Sequence, residues 1–241
     1  MNSPLSTVTS ESDVPLVDYH IHTRFSDGES TIDQYVQAAE ERGIKEIAFT
    51  DHVWRSSEWV SDYVSKIHDA RQRTNVVLHA GVEAKIVDEN GCIDLAPEDA
   101  DMLDFVMGVV HRYQPNNDPP QDDMLNFGPL EAAERECKLT RSLLKNDLVD
   151  VVGHPSRTYY KFFYGNRTNK PYPLACYEVM IEDSIRTDTP LEYNARLPGR
   201  VRQRLLQLYV ETGVSFTIGS DSHHVGRLGD LDHGEIQSGL K

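Results

Sequence analysis

No run in this chain of 241 residues approaches the ~18 consecutive apolar side chains that a membrane-spanning helix needs. The polar opening stretch from Met1 to Asp13 has no apolar signal core, so the expected location is the cytoplasm and no membrane partner is expected. Cysteine is scarce: Cys92, Cys137 and Cys176 are odd in number, far apart and without CxxC spacing, which argues against a disulfide framework and a zinc knuckle. Positive charge is also short. Lys and Arg total 24 against 39 Asp and Glu, a formal charge of −15 that repels a polyanion unless metal or a local basic patch offsets it. Nucleic acid is therefore disfavoured as a general partner, and no internal repeat points to a solenoid.

Hydrophobic residues make up 39% of the chain, enough to bury one barrel-sized core. Short β-branched runs alternate with helical patterns, the signature of βα units wound around a parallel sheet, so the fold class is α/β. Strands are predicted near Leu16 to His20, Glu46 to Thr50, Val76 to Gly81, Phe105 to Val110, Val149 to Gly153, Leu191 to Asn194 and Ser215 to Gly219. Helices are predicted over Ile32 to Arg42, behind a Ser30/Thr31 cap, and over Val60 to Thr74, Leu130 to Asn146, Tyr177 to Arg186 and Val201 to Thr212. Gly43 and Gly213 follow two of these helices as left-handed terminators, and Asn90-Gly91 marks a hairpin after the third strand. The expected division is a flexible segment 1–15, one barrel domain 16–224 and a tail 225–241. Two long connections, Gln114 to Phe127 and Pro155 to Pro173, are of a length that is usually functional or mobile.

Ligand-type side chains gather at the strand ends. His20 and His22 close the first strand, with Asp27 in the loop behind them, and His52 closes the second. Glu83 ends the third, His111 the fourth, His154 the fifth, and Asp221 with His223 the seventh. Strand ends of one sense open on one face of a parallel barrel, so nine ligand-type groups are expected to converge there. Imidazole nitrogen and carboxylate oxygen suit zinc, manganese or iron, and nine groups are too many for one ion. Strand alternation points both rings of the HxH pair to one side. A carboxylate such as Glu83 can bridge two ions roughly 3.5–4 Å apart. His68 on a helix, His79 inside a strand, and His224 and His233 in the tail form the background.

The ordered set Asp18-Tyr-His20-Ile-His22-Thr-Arg-Phe-Ser-Asp27-Gly, Thr50-Asp51-His52, Gly81-Val-Glu83, Val110-His111, Gly153-His154-Pro and Gly219-Ser-Asp221-Ser-His223 resembles the successive motifs of the PHP (polymerase and histidinol phosphatase) family. The resemblance implies a distorted (β/α)7 barrel in a single domain with a trinuclear metal site. It places His20, His22, Glu83 and Asp221 on the first ion, Glu83, His111 and His154 on the second, and Asp27, His52 and His223 on the third. Glu192-Tyr-Asn194 is similar to the family's Glu-x-Asn strand, whose Asn faces the site.

The implied activity is hydrolysis of a small organic phosphate ester, monoester or diester, histidinol phosphate being one candidate. Metals sharing a water lower its pKa towards neutrality and offset charge in the transition state. Glu83, Asp221 and His223 are the catalytic candidates, and no Ser or Cys nucleophile motif is present. Asp18 and Asp51 precede ligand histidines and are candidate partners for ring nitrogens. Arg157, Arg196 and Asn194 are the candidate substrate contacts, because a guanidinium matches two phosphate oxygens. Arg24, Lys85 and Arg112 are weaker ones. The aromatic run Tyr159, Tyr160, Phe162, Phe163, Tyr164 suits a lid, a packed loop or a dimer contact. Two alternatives remain: a 3′→5′ exonuclease, against which the acidic balance and the lack of an attached polymerase domain count, and a noncatalytic metal-stabilised binding module.

Overall fold

The structure, a computed structural model, describes residues 4–9, 14–113, 127–231 and 233–240. Seven parallel strands follow one another around the sheet in chain order: β1 (Val17–Ile21), β2 (Glu46–Val53), β3 (Val77–Lys85), β4 (Phe105–Val109), β5 (Val151–Val152), β6 (Leu191–Asn194) and β7 (Phe216–Gly219). Most of their residues are buried, because helices cover one face and the barrel interior takes the other. That double burial is why β4, Phe105–Val109, reads in sequence as a continuous apolar run.

The circle closes between β7 and β1. Past the end of β7, Ser222 O accepts from His22 N at 2.8 Å and Ser222 N donates to His20 O at 3.1 Å. At the opposite end Val8 pairs antiparallel with Phe216 through two backbone bonds of 2.8 and 3.0 Å. Leu5 joins a small inner cluster with Val17, Tyr19, Ala48, Phe105, Met107, Val109 and Val151. The stretch before residue 15, expected to be flexible, thus contributes Leu5 and Val8 to the core; residues 10–13 lie outside the described set.

Eight helices surround the described barrel: α1 (Ile32–Arg42), α2 (Val60–Arg71), α3 (Pro97–Ala100), α4 (Pro129–Leu143), α5 (Arg157–Phe162), α6 (Leu174–Thr187), α7 (Gly199–Thr212) and α8 (His233–Gly239). Thr31 and Gln34 form a reciprocal capping box at the start of α1. Gly43 and Gly213 end α1 and α7 at φ 69° and 70°. Helices α6 and α7 begin earlier than predicted because Pro173 and Pro198, extended at their caps, set the start ahead of the first periodic apolar residue.

The hairpin at Asn90-Gly91 is present as an Ile86–Ile93 antiparallel bridge. The tail is folded where it is described: Val225–Arg227 forms a 3-10 turn, α8 follows, and Leu228, Leu231, Ile236 and Leu240 enter the main core. The connection Pro155 to Pro173 contains α5 rather than a bare loop. Tyr159, Tyr160 and Phe163 are buried there against Tyr113 and Tyr172, which makes most of the aromatic run a packed segment. The other long connection, from Gln114, lies outside the described residues up to 126.

A bulge in β1 bears on the site. Asp18 pairs with Ile47, but Ile21 pairs with Phe49, so β1 carries one extra residue. The insertion lets Tyr19 remain in the inner cluster while His20 and His22 project together at the mouth.

Candidate metal centre

All nine expected ligand residues reach the carboxyl-terminal mouth of the barrel and assemble into four overlapping groups. These are His22, Asp27, His52 and His223; His20, Glu83 and His154; His20, His22 and Asp221; and His52, Glu83 and His111. Glu83 is the centre. Its Oε1 stands 3.5 Å from His20 Nε2, 3.4 Å from His111 Nε2 and 2.7 Å from His154 Nε2. Its Oε2 stands 3.7 Å from His22 Nε2 and 2.6 Å from His52 Nδ1. One buried carboxylate thereby faces five imidazoles carried by the ends of β1, β2, β4 and β5. Asp221 Oδ1 completes the inner set at 3.7 Å from His22 and 4.0 Å from His20.

The outer group is wetter. Asp27 has a half-exposed side chain and lies 3.3 Å from His223 Nε2 and 3.5 Å from His52 Nε2. Its Oδ1 lies 3.6 Å from His22 Nδ1, a third neighbour that spacing did not suggest. His154 and Asp221 hold left-handed φ values of 30° and 55°. Such conformations cost of order 1–3 kcal/mol and concentrate where function fixes the backbone.

The electrostatics without metal show what the cluster demands. Burial pulls His20 and His52 towards the neutral form, but Glu192 and Glu83 around His20, and Glu83 with Asp27 around His52, outweigh it. His20 ends well above its usual pKa and His52 at about 10. His22 goes the other way, driven down by burial and by the neighbouring imidazoles His20, His52 and His223. Burial raises Glu83, yet His111, His52 and His20 hold it well below the usual carboxylate range. Protons on histidine are thus standing in for cations.

The donor set fits divalent ions of the zinc, manganese or iron kind. His22 Nδ1 is buried without a hydrogen-bond partner, Glu83 Oε2 is buried with His52 Nδ1 at 2.6 Å but no aligned hydrogen bond, and the Nε2 atoms of His20 and His22 face each other at 3.1 Å. Without metal a proton held between those two ring nitrogens occupies the place that a cation would take, beside a carboxylate oxygen aimed into the same space.

The supporting shell differs from the expectation. Asp18 and Asp51 bond no ligand imidazole. Asp18, pushed up to about 6 by burial against the pull of its donors, accepts from Ser220 N and Oγ, His20 N and Gly229 N, tying β1 to the strand-7 loop and the tail. Asp51 accepts from the backbone and hydroxyls of Thr23 and Ser26, holding the loop that carries Asp27. The residue that orients an imidazole is Glu192, which receives His20 Nδ1–H at 2.8 Å and His154 N–H at 2.6 Å. Gly219 makes this possible, since a Cβ there would overlap Glu192 Oε1 and His20 Cβ. The Glu-x-Asn spacing was the available signal, because residues two apart on a strand share a face.

Asn194 is a correction. It is fully buried, its amide donates to Glu192 Oε1 at 3.0 Å, and its oxygen accepts from Arg196 N at 2.8 Å. It braces β6 and does not line the cavity. Arg157 and Arg196 do line it, in a space of about 440 Å³ over Glu83, His111, His154 and Asp221. Arg196 donates from Nε and Nη2 to Asp221 O, and Arg157 Nε is buried without a partner. Arg112 also reaches the cavity, with Lys161, Thr158 and Phe162 of α5. Arg24 and Lys85 bond Glu29 O and Asp94 instead. Among the background histidines, His79 pairs with Glu46 at 2.7 Å and His224 accepts from Gly226 N. His68 lies on α2 and His233 on α8, outside the four ligand groups.

The pattern of the PHP domain matches residues 18–195. A probable phosphatase of Aliivibrio fischeri (strain MJ11) is 29% identical over 226 residues, covering 90% of this chain and 82% of that protein. A DNA polymerase/3′-5′ exonuclease of Bacillus subtilis (strain 168) is 26% identical over 227 residues, covering 90% of this chain but 36% of its own length. Among solved structures, a histidinol phosphate phosphatase of Lactococcus lactis subsp. lactis, complexed with zinc, L-histidinol and phosphate, superposes with a TM-score of 0.72. It is 22% identical, and the match covers 93% of this chain and 92% of that one, a likeness of fold.

Proposed function

The chain belongs to the PHP domain family, and from that premise we propose that it is a metal-dependent hydrolase of small organic phosphate esters. The observation that carries the reading is Glu83, a buried carboxylate ringed by the imidazoles of His20, His22, His52, His111 and His154. In this reading up to three divalent ions are held. His20, His22, Glu83 and Asp221 hold one, Glu83, His111 and His154 a second, and Asp27, His52 and His223 a third. Bound divalent cations supply Lewis acidity, lowering the pKa of a water towards neutrality and offsetting charge on phosphoryl oxygens.

The chain's own groups do the rest. Glu192 keeps the Nδ1 proton of His20, which fixes the tautomer and turns the Nε2 lone pair into the cluster. Arg196, anchored on Asp221 O, and Arg157 hold the substrate's anionic oxygens at the rim. Glu83 and Asp221 keep negative charge at the centre, and His223 stands at the edge with a third of its side chain exposed. The named phosphatase relative and the zinc-bound structural neighbour support this reading. The test is the purified protein loaded with Mn or Zn and assayed on phosphomonoesters, a cyclic ester and single-stranded DNA. Turnover of small esters well above DNA cleavage is expected; efficient DNA degradation alone would install the exonuclease reading.

A further inference from the structure

The cavity above the cluster has an uneven charge. Its acids, Asp27, Glu83 and Asp221, all belong to the ligand groups. Beyond them the described lining residues include four cations, Arg112, Arg157, Lys161 and Arg196, and no carboxylate. This happens in a chain whose acids outnumber its bases 39 to 24, so background composition would give the opposite balance. Opposite charge placed around a cleft selects the charge of what enters it.

The cations are also placed on one side. Arg112 follows β4, Arg157 and Lys161 lie one helical turn apart on α5 after β5, and Arg196 follows β6, whereas Asp27, His52 and His223 occupy the side of β1, β2 and β7. Arg196 donates to Asp221 O, which puts it against the metal cluster, where a reacting phosphate would lie. Arg157 Nε is buried with no acceptor, a cost that a bound anion removes. Thr158, beside it, is committed to Val110 O and contributes shape rather than a free hydroxyl.

We infer that the preferred substrate carries a second anionic group, a carboxylate or another phosphate, on the alcohol that leaves, and that Arg112, Arg157 and Lys161 receive it. The inference rests on the phosphoesterase reading above and deepens it. One phosphate dianion is satisfied at the cluster by the ions and Arg196, which leaves the positive side of the described lining, Arg112, Arg157 and Lys161, facing the leaving group. They are repulsive for a cationic one such as the amine of histidinol, for which no free carboxylate is present among the described lining residues.

Two measurements separate this inference from the reading it rests on. In calorimetry on the Mn-loaded protein, phosphonoacetate, which is not an ester, is expected to bind about tenfold or more tightly than methylphosphonate, with 2-aminoethylphosphonate weakest. Lys161→Glu, a change at an exposed position, is expected to reduce that preference by about tenfold. In turnover, 3-phosphoglycerate and fructose 1,6-bisphosphate should exceed glycerol 3-phosphate in kcat/KM, and phosphoethanolamine and histidinol phosphate should fall below it; the first two substrates tell a carboxylate from a phosphate as the second anion. Equal or reversed affinities of the three phosphonates, or a preference unmoved by both Lys161→Glu and Arg112→Ala, overturns the inference. The binding preference without turnover of any ester sustains the anion site and overturns the phosphoesterase reading instead.

Discussion

His20 gives its Nδ1 proton to Glu192 across 2.8 Å, with neither side chain reaching solvent. The same carboxylate takes the backbone N–H of His154, so a single residue on β6 fixes two of the rings around Glu83. Burial raises the Glu192 pKa, but His20 and His154 more than reverse that and keep it below the ordinary value. Replacing Glu192 with Gln preserves the volume and removes the charge, leaving His20 free to choose the other tautomer. Metal affinity is expected to drop ~10–100-fold with the fold retained. Titration of metal into the chelated variant, followed by elemental analysis and circular dichroism, checks this; unchanged affinity contradicts the role given to Glu192.

Metal uptake and pH are linked with a definite sign. His52, with a pKa raised to about 10, and His20, held well above its usual value by Glu192 and Glu83, carry protons at neutral pH when no metal is bound. Those protons must leave before the rings can ligate, so loading at pH 7 releases protons and apparent affinity rises from pH 6 to 9. For the chelated protein, a raised folded pKa stabilises fully below the unfolded value near 6.5 and is lost as pH rises through about 10. Its Tm should fall across that window while the metal-loaded protein gains on it. Calorimetry in buffers of different ionisation enthalpy reads the released protons; zero release contradicts the account.

Glu136 of α4 connects the core to the substrate rim. Fully buried, it accepts from Thr158 N, Tyr159 N and Tyr113 Oη at 3.1, 2.8 and 3.2 Å, holding the first turn of α5 and with it Arg157. Burial pushes its pKa up to about 8 against the pull of those donors. Glu136→Ala strands three buried donors at about 1–3 kcal/mol each. Lower Tm and a raised KM with kcat less affected are expected, because α5 carries the proposed substrate contacts and none of the candidate metal ligands. A fall confined to kcat would contradict this placement.

Much of the site was legible because parallel strands end on one face. His20, His22, His52, Glu83, His111, His154 and Asp221 needed only that topology to be brought together. What stayed hidden depended on contacts across sequence. Glu192 meets His20 over 172 residues, and the Glu-x-Asn spacing marks its strand face without marking this partner. Asp18 and Asp51 precede ligand histidines, the signal for partners of ring nitrogens; the β1 bulge sets Asp18 out of phase with His20, alternation turns Asp51 from His52, and both accept from backbone and hydroxyl donors of neighbouring loops. Asn194 shares a face with Glu192, yet that carboxylate and Arg196 N consume its amide before the cavity is reached. Leu5 and Val8 are isolated apolar residues in a polar stretch, so no periodicity announced their place in the core.

In the proposed function, Glu83 organises the cations on which hydrolysis depends. A neutral amide bridges cations poorly, so Glu83→Gln should lower turnover of a small phosphomonoester by orders of magnitude and reduce bound metal below the wild type, which should carry more than one equivalent and approach three when loaded. His68→Gln, on α2 outside every ligand group, should leave both near wild type. The decisive measurement is metal content and kcat/KM taken together on these two variants after identical loading. Loss of both in Glu83→Gln alone is the predicted result; equal behaviour of the two variants, or a wild type that holds no metal, would contradict the account.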